Sequence, residues 1–306
     1  MILAILLTLV PVALLIALGY YLKSTSFIAD NFWGQAERLG YYVLLPALFF
    51  QGLATADIGE LPIGQMVVVL VGALIGGTIV LVLLRPAIGI DGPGFTSIFQ
   101  GGLRFNNYVA VSIVSGLFGA HGVALSAVCN AIIVPTVNIL CVMIFLCFST
   151  AKMSLTTTLK QLGLNPLLLA CLVGILFQVL SLRLPPGVEP AIKALGQASL
   201  ALGLLCVGAA LKFSSTRKWI TPLLISSAIK FIALPLFTLI LNSMLGLVGT
   251  AAIVVVIFQT MPTASSSYIM ARQLGGDAPL MAGITVLQTI IAGLAIPAVL
   301  ILSGTM

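Results

Sequence analysis

The most polar stretches of this 306-residue chain also contain the residues least compatible with a continuous helix. Residues 100–108 have the sequence QGGLRFNNY, and residues 259–268 have the sequence QTMPTASSSY. Glycine weakens a helix through its backbone freedom, and proline removes a backbone hydrogen bond. The residues expected to break the helices are Gly101, Gly102 and Pro262. Interrupted helices leave N-termini with partial positive charge, which attract an anion.

The charged residues inside the apolar runs are basic. Arg104 precedes the asparagines of the first polar segment, and Lys230 lies in the middle of another apolar run. The carboxylates, which lie near the ends of apolar runs or between them, are Asp30, Glu37, Asp57, Glu60, Asp91, Glu189 and Asp277. Because a buried charge is costly and usually functional, cations and amides without an acid favour an anionic solute. Lys230 has a second, compatible interpretation as a countercharge to the negative C-terminal ends of interrupted helices.

Polar side chains in other apolar runs complete the set of candidates. Asn130 and Asn138 are eight residues apart and therefore share one helix face. Gln51 and Gln288 lie on two further runs. The candidate substrate-binding residues are Gln51, Arg104, Asn106, Asn107, Tyr108, Asn130, Lys230, Thr263, Ser265 and Ser266. Each polar residue alone is more often a contact between membrane helices than a ligand, so that alternative stays open.

No catalytic or metal-binding pattern accompanies these residues in the sequence. The five cysteines lie in apolar runs without metal-ligand spacing, and we expect them to be buried small hydrophobic residues. The sequence contains no nucleotide-binding loop and no Ser/His/Asp set. The single histidine, His121, is expected to be a solvated turn residue. The sequence therefore predicts no enzyme, no metal site and no cofactor.

The composition is that of a membrane protein. Hydrophobic residues make up 60% of the chain and charged residues 7%, whereas soluble domains contain about 45–50% apolar and about 25% charged residues. These values exclude a cytosolic enzyme, a nucleic-acid-binding protein and a disordered protein. The net charge of +6 comes from only 13 scattered Lys and Arg residues, which is typical of basic cytoplasmic loops.

Apolar runs separated by charged, glycine or proline residues predict an all-α integral membrane protein with ten transmembrane helices. The predicted spans, numbered 1 to 10, are residues 2–21, 32–54, 61–84, 94–118, 121–148, 163–182, 189–211, 218–244, 247–273 and 278–303. The connections are short, and the longest comprises residues 149–162. We therefore expect one unit in the lipid bilayer, whose N-terminus forms span 1 rather than a signal peptide.

The basic residues predict the orientation in the membrane. The connections after odd-numbered spans carry Lys23, Arg85, Lys152, Lys160, Lys212, Arg217, Lys218 and Arg272. The opposite connections and both termini carry only Arg183, with Lys193 slightly inside span 7. Because cytoplasmic loops collect Lys and Arg, both termini are expected to face away from the cytoplasm.

The two halves of the chain resemble each other at an offset of 155 to 160 residues. The matched pairs include Pro62 with Pro222, Gln100 with Gln259, and Asn130 with Gln288. Single matches arise by chance in helices rich in Leu and Gly, but the regular offset across all five span pairs predicts a duplication of residues 1–148 as residues 163–306. Because each half has an odd number of spans, the second half is inverted, as in many secondary transporters.

Several motifs resemble the auxin efflux carrier family, especially its bacterial members. The motifs are residues 104–108 with 117–119, residues 261–264 with 275–277, residues 44–48, and Lys230 shortly before Pro235. The resemblance covers the whole chain. It implies ten helices in two inverted five-helix repeats, in which spans 4 and 9 are broken and cross each other. It also implies a sodium/proton-antiporter-like, elevator-type transporter with a scaffold (spans 1, 2, 6 and 7), a transport part (spans 3–5 and 8–10) and frequent homodimers.

The resemblance further implies an organic-anion substrate, because members of the family move auxin in plants and carboxylates such as malonate or malate in bacteria. Asn106 best matches the asparagine that contacts the substrate carboxylate in the plant relatives. Two departures argue against auxin. The proline that plant carriers have beside that asparagine is absent here, and so is their long central loop. A bacterial dicarboxylate carried across the inner membrane is the expected function.

Two alternatives remain open at the level of sequence. One is a sodium/bile-acid-type symporter of the same fold, which the lack of midplane carboxylates disfavours. The other is a channel or a substrate-sensing receptor built on a transporter scaffold.

Overall fold

The structure, a computed structural model, describes residues 2–56, 61–148, 164–182, 184–211, 220–264 and 266–302. Every element of secondary structure in these ranges is a helix. Several features of the sequence lie outside the described residues, namely the connection 149–162, Ser265, Asp57, Glu60, Lys152, Lys160, Arg183, Lys212, Arg217 and Lys218.

The chain forms thirteen α-helices within the described ranges. They are α1 (Ile2–Ser24), α2 (Asp30–Leu39), α3 (Leu45–Ala54), α4 (Ile63–Ile88), α5 (Gly92–Leu103), α6 (Asn107–Phe148), α7 (Pro166–Val179), α8 (Val188–Ala210), α9 (Ile220–Ala228), α10 (Leu234–Leu245), α11 (Gly249–Gln259), α12 (Ser266–Leu274) and α13 (Ala278–Leu302). Two π-helical turns, Gly40–Leu44 and Ile229–Ala233, join α2 to α3 and α9 to α10.

The apolar helices make the chain an integral membrane protein. Five helical stretches of the described residues are long and apolar enough to cross a membrane, namely Ile63–Ile88, Gly92–Phe148, Val188–Ala210, Ile220–Leu245 and Ala278–Ile301. The all-α fold class is thereby confirmed, whereas the count of ten spans stays a prediction.

The helices follow the predicted spans, with breaks where the polar segments lie. Span 4 comprises α5 and the beginning of α6, and span 9 comprises α11 and α12. Helix α6 continues into span 5 through a single non-helical residue, Gly119, which has φ 56° and ψ −139°. Glycine adopts this positive φ without the strain that a Cβ would cause. His121 is exposed beside this turn, as expected.

Both π-helical turns precede a proline, which explains their position. Pro46 and Pro235 are the second residues of α3 and α10. A proline ring collides with the carbonyl four residues earlier, and a wider turn removes that collision. Accordingly, the Leu45 N–H donates to the Gly40 carbonyl and the Leu234 N–H to the Ile229 carbonyl, five residues back in each case.

The helices group into two compact units, each containing segments from both halves of the chain. The first unit comprises Met1–Ile63, Asn107–Ala131 and Lys160–Ala210, and the second comprises Gly64–Asn106, Ile132–Leu159 and Leu211–Met306. The duplication of residues 1–148 as 163–306, and the division into scaffold and transport part, stay predictions.

Small residues set the helix packing within each unit. In the first unit, Gly208 of α8 lies against the Ile16 carbonyl of α1, and Gly196 lies against Leu48 of α3. In the second unit, a Cβ on Gly76 of α4 would meet the ring of Phe237 at 3.1 Å. Glycine lets membrane helices approach closely, so these contacts hold the helices together where a hydrophobic driving force is absent.

The cysteines are packing residues with one exception. Cys129, Cys141, Cys171 and Cys206 are buried, as the sequence predicts. Cys147 is exposed, contrary to that prediction, because it lies on the outer face of α6 near its C-terminal end.

Candidate functional site

The first helix interruption lies between α5 and α6. Helix α5 ends at Leu103, and Arg104 is extended with φ −68° and ψ 153°. Asn106, which is buried, donates its backbone N–H to the Pro262 carbonyl at 2.7 Å. The break is therefore held by a hydrogen bond to the other polar segment.

The second interruption lies between α11 and α12. Helix α11 ends at Gln259, residues 261–264 have no regular secondary structure, and α12 begins at Ser266. The rings of Phe105 and Phe258 contact each other with centroids 5.6 Å apart. The two interruptions thus meet each other inside the second unit.

The glycines of the first polar segment have a different role from the one expected. Gly101 and Gly102 lie inside α5, and the non-helical backbone begins only at Arg104. A Cβ on Gly101 would collide with Ser226 and Ile284, and a Cβ on Gly102 would lie 3.1 Å from Leu81. These glycines let α5 pack closely against its neighbours. The close packing explains why both residues stay helical although glycine weakens a helix.

Gln288 of α13 bridges the two interruptions. Its Oε1 atom accepts from the Thr263 N–H at 2.9 Å, and its Nε2 atom donates to the Gly101 carbonyl at 3.0 Å and the Ser226 hydroxyl at 3.3 Å. The side chain is fully buried. One amide therefore satisfies the last turn of α5 and the unwound backbone before α12.

Lys230 lies at the C-terminal end of α5. It belongs to the π-helical turn before α10, its side chain is fully buried, and its Nζ atom donates to the Leu103 carbonyl at 3.1 Å. The last carbonyls of a helix have no partner within the helix and carry partial negative charge. The ammonium group satisfies one of them, which is the geometry expected of a countercharge.

Arg104 supplies a second cation beside the interruptions. Its guanidinium donates to Asn138 Oδ1 at 3.0 Å and contacts the Met270 sulfur at 3.2 Å. The partners of Arg104 and Lys230 among the described residues are an amide, a sulfur and a backbone carbonyl, and neither cation is paired with a carboxylate of those residues. Two cations that have only dipoles as described partners therefore lie close to both interruptions.

The hydroxyl candidates of the second interruption are only partly described. Thr263 is buried, and its hydroxyl lies 3.2 Å from that of Ser267. Ser266 is half-buried at the start of α12. Ser265 lies outside the described residues. Thr263 and Pro262 thus join Arg104, Asn106 and Lys230 in the second unit.

The remaining candidates belong to the first unit. The Tyr108 ring lies against Gly203, and its hydroxyl lies beside Gly40; both glycines leave the space that the ring occupies. Asn130 donates its amide to the Ser126 carbonyl at 2.9 Å. Gln51 lines a cleft of about 600 Å³ together with residues that include Thr55, Phe177 and Glu189.

Sequence reasoning missed the bridging role of Gln288 and the contact of Arg104 with Asn138. Gln288 and Asn138 both stand out in the sequence as amides inside apolar runs, and Gln288 matches Asn130 in the predicted repeat. The missing information was which backbone groups are left unpaired, because that depends on where the interruptions begin and end.

An all-helical integral membrane chain in which two interrupted helices meet beside the buried Lys230 and the half-buried Arg104 has the features of a membrane transport protein. Residues 149–300 match the model of the family described as Membrane transport protein, the auxin efflux carrier family. This match over residues 149–300 confirms the resemblance drawn from the motifs. An uncharacterized transporter from Methanothermobacter thermautotrophicus is 24% identical over 303 residues, which cover 95% of this chain and 95% of that relative.

Proposed function

We propose that the protein is a secondary active transporter that moves a small organic anion, a carboxylate such as malonate or malate, by alternating access. The observation that carries the proposal is the contact between the two helix interruptions beside Arg104 and Lys230, neither paired with a carboxylate in the described part of the chain. Broken helices near the bilayer midplane are typical of substrate sites in secondary transporters.

The charge distribution supports an anionic rather than a cationic solute. A cation buried in a membrane is costly unless an anion or oriented dipoles compensate it. The Leu103 carbonyl offers Lys230 a partial negative charge, and Asn138 offers Arg104 an amide oxygen. These dipoles compensate less than a full carboxylate does, so a carboxylate solute would gain Coulomb energy from both cations.

The candidate ligands comprise these two cations and polar side chains that the sequence indicates. Asn106 is proposed to donate its side-chain amide to the substrate carboxylate, as the family resemblance implies. The other proposed ligands are Gln51, Asn107, Tyr108, Asn130, Thr263, Ser265 and Ser266. The elevator-type movement, a homodimer, residence in a bacterial inner membrane and extracytoplasmic termini belong to the same proposal.

Counterflow of labelled malonate or malate in proteoliposomes tests this function. A carrier gives saturable uptake that rises when the vesicles are preloaded with the unlabelled anion, whereas a channel gives neither saturation nor counterflow. Asn106→Ala should weaken apparent affinity about ten- to a hundred-fold, because a hydrogen bond to a charged group contributes about 1.5–3 kcal/mol. Thr238→Val is the matched control, since the Thr238 hydroxyl donates to the Leu234 carbonyl of its own helix.

Two results would contradict the proposal. Flux of carboxylates that is linear in concentration and unaffected by preloading would make the protein a channel. Affinity of Asn106→Ala within about twofold of the unmodified protein would make Asn106 a packing residue.

A further inference from the structure

Arg85 lies where the apolar run of α4 ends. The run that forms predicted span 3 stops at residue 84, one position before this arginine. The large side chains just before it on the outer face of α4 are exposed, namely Ile79, Val82 and Leu83, of which Leu83 is 74% accessible. In a membrane-spanning helix such a face contacts lipid chains, because the hydrocarbon region holds no water. Arg85 therefore lies at the depth where lipid headgroups begin.

Two aromatic rings hold the Arg85 side chain in the second unit. Its guanidinium carbon lies 4.0 Å from the ring centroid of Phe148, at the end of α6, and 5.6 Å from that of Phe95 on α5. The two rings are nearly perpendicular to each other, with centroids 5.2 Å apart. The Phe148 carbonyl lies against Gly92, the first residue of α5, where a Cβ would collide with it. The ends of α4, α5 and α6 thus meet around one guanidinium.

A second exposed apolar face lies on α6 and leads to the same aromatic contact. Ile139, Met143 and Leu146 are exposed and share one face, because they lie four and three residues apart. Phe148, the last residue of α6, follows them at the end of the helix. The apolar faces of α4 and α6 therefore end at the contact between Arg85 and Phe148. A lipid whose chains pack on these faces has its headgroup beside this contact.

The hydrogen-bonding capacity of this guanidinium is not used by the described residues. Its Nε atom is buried without a partner among them, and the described contacts of Arg85 are with the two rings. The neighbouring carboxylate, Asp91, instead caps α5, because its Oδ1 atom accepts from the Gly94 N–H at 2.9 Å. An arginine is always charged, and its planar fork matches a phosphate with two parallel hydrogen bonds. A fixed cation with several donors thus has no anionic partner in the described part of the chain.

We propose that Arg85 binds the phosphate of an anionic membrane lipid, whose acyl chains lie along the exposed faces of α4 and α6. The rings of Phe95 and Phe148 fix the plane of the guanidinium, and apolar side chains such as Leu83 and Met143 contact the chains. Charge complementarity favours an anionic lipid, because a zwitterionic headgroup carries its own cation beside the phosphate. A soluble phosphate would gain nothing from the apolar faces. The lipid site shares no residue with the anion site proposed above.

Thermal unfolding of the purified protein in detergent micelles tests this site. Phosphatidylglycerol, phosphatidylcholine or glycerol 3-phosphate is added at equal phosphate concentration, because a ligand that binds only the folded state raises its stability. We expect the midpoint of unfolding to rise with phosphatidylglycerol and to rise much less with the other two. Arg85→Gln should weaken the apparent affinity for phosphatidylglycerol at least tenfold. Arg38→Gln is the matched control, because it removes the same charge from an exposed position in the last turn of α2.

A second variant keeps the test decisive if Arg85→Gln folds poorly. Phe148→Leu keeps the positive charge but removes the ring that fixes the guanidinium, so it should also weaken the effect of phosphatidylglycerol. Native mass spectrometry of the folded fraction counts the retained lipid, and either variant should retain less phosphatidylglycerol than the unmodified protein. An equal rise with phosphatidylcholine, an equal rise with glycerol 3-phosphate, or a phosphatidylglycerol effect that survives both variants would each overturn the proposal.

Discussion

Lys230 combines two properties that are difficult to reconcile in a membrane: full burial and a positive charge. Its Nζ atom lies 3.1 Å from the Leu103 carbonyl, at the end of a helix that stops mid-span. The sequence predicts an intramembrane cation here and offers two roles for it. The geometry places the ammonium on a helix end, and the same position lies beside the interruptions where an anion is proposed to bind.

The residue-scale prediction concerns this charge. Lys230→Met keeps much of the side-chain length but leaves the Leu103 carbonyl without its partner, which should cost about 1–3 kcal/mol in the free energy of unfolding. Carboxylate transport should fall sharply, whereas Lys230→Arg should retain part of it, because the charge stays although its shape changes. Chemical denaturation and counterflow measure the two effects.

Lys193→Met is the control for this experiment, because Lys193 is exposed on α8. Transport by Lys230→Met equal to that of the unmodified protein would show that the cation is incidental. Lower stability with normal transport would show that Lys230 only stabilises the end of α5 and does not contribute to transport.

At the scale of helices, specific contacts between distant residues hold the two interruptions. One backbone hydrogen bond joins Asn106 to Pro262, and one side chain, Gln288, contacts the backbone on both sides. Unwound backbone at membrane depth is tolerated only where such partners satisfy its polar groups. The position of each interruption therefore depends on residues that lie far away in the sequence.

Gln288→Leu should destabilise the protein because it leaves the Gly101 carbonyl and the Thr263 N–H without their partner. Each unpaired group costs about 1–3 kcal/mol in the free energy of unfolding. Gln65→Leu serves as the control, since Gln65 makes a single, exposed hydrogen bond to the Leu245 carbonyl. Chemical denaturation in detergent compares the two variants, and similar losses in both would mean that the bridge contributes nothing specific.

The close contact between Gly203 and the Tyr108 ring leads to a second prediction at the scale of helices. Gly203→Ala would place a methyl group inside the Tyr108 ring, so we expect a loss of about 1–3 kcal/mol in the free energy of unfolding, as for overpacked cores. Gly34→Ala should be neutral or stabilising, because nothing lies within 4 Å of a Cβ at Gly34 in α2. Equal melting temperatures for the two variants would contradict the close approach of Tyr108 to α8.

At the scale of the whole molecule, composition and hydrophobic runs predict the fold class and most helix boundaries. They also place the helix interruptions within a few residues, because polar and helix-breaking residues concentrate there. They do not predict that Gly101 and Gly102 stay helical, since that depends on close contact with Ser226 and Leu81. Nor do they reveal the partners of Gln288 and Arg104, because periodicity describes one helix and not the neighbour across it.

The orientation in the membrane is the prediction at this scale. With the exposed Cys147 replaced by serine, single cysteines introduced near Met1 and Met306 should react with an impermeant reagent in intact cells. Cysteines near Lys160 and Arg217 should react only after the cells are opened, because the basic connections are expected to be cytoplasmic. The reverse pattern of labelling would invert the assignment of the membrane faces.

The π-helical turn at Ile229–Ala233 has a consequence for the phase of its helix. Before the turn the buried positions are Leu223, Ser226 and Ser227, and within it they are Ile229, Lys230 and Phe231. After the turn they are Leu234, Pro235, Thr238 and Asn242. An uninterrupted 3.6-residue repeat that starts from Lys230 would instead reach residues 237 and 241. The turn thus acts as a one-residue insertion that resets the inward face. Deleting one residue of the turn while replacing Pro235 should restore an ordinary α-helix. In that helix, the residues before and after the deletion should bury the same faces that they bury now.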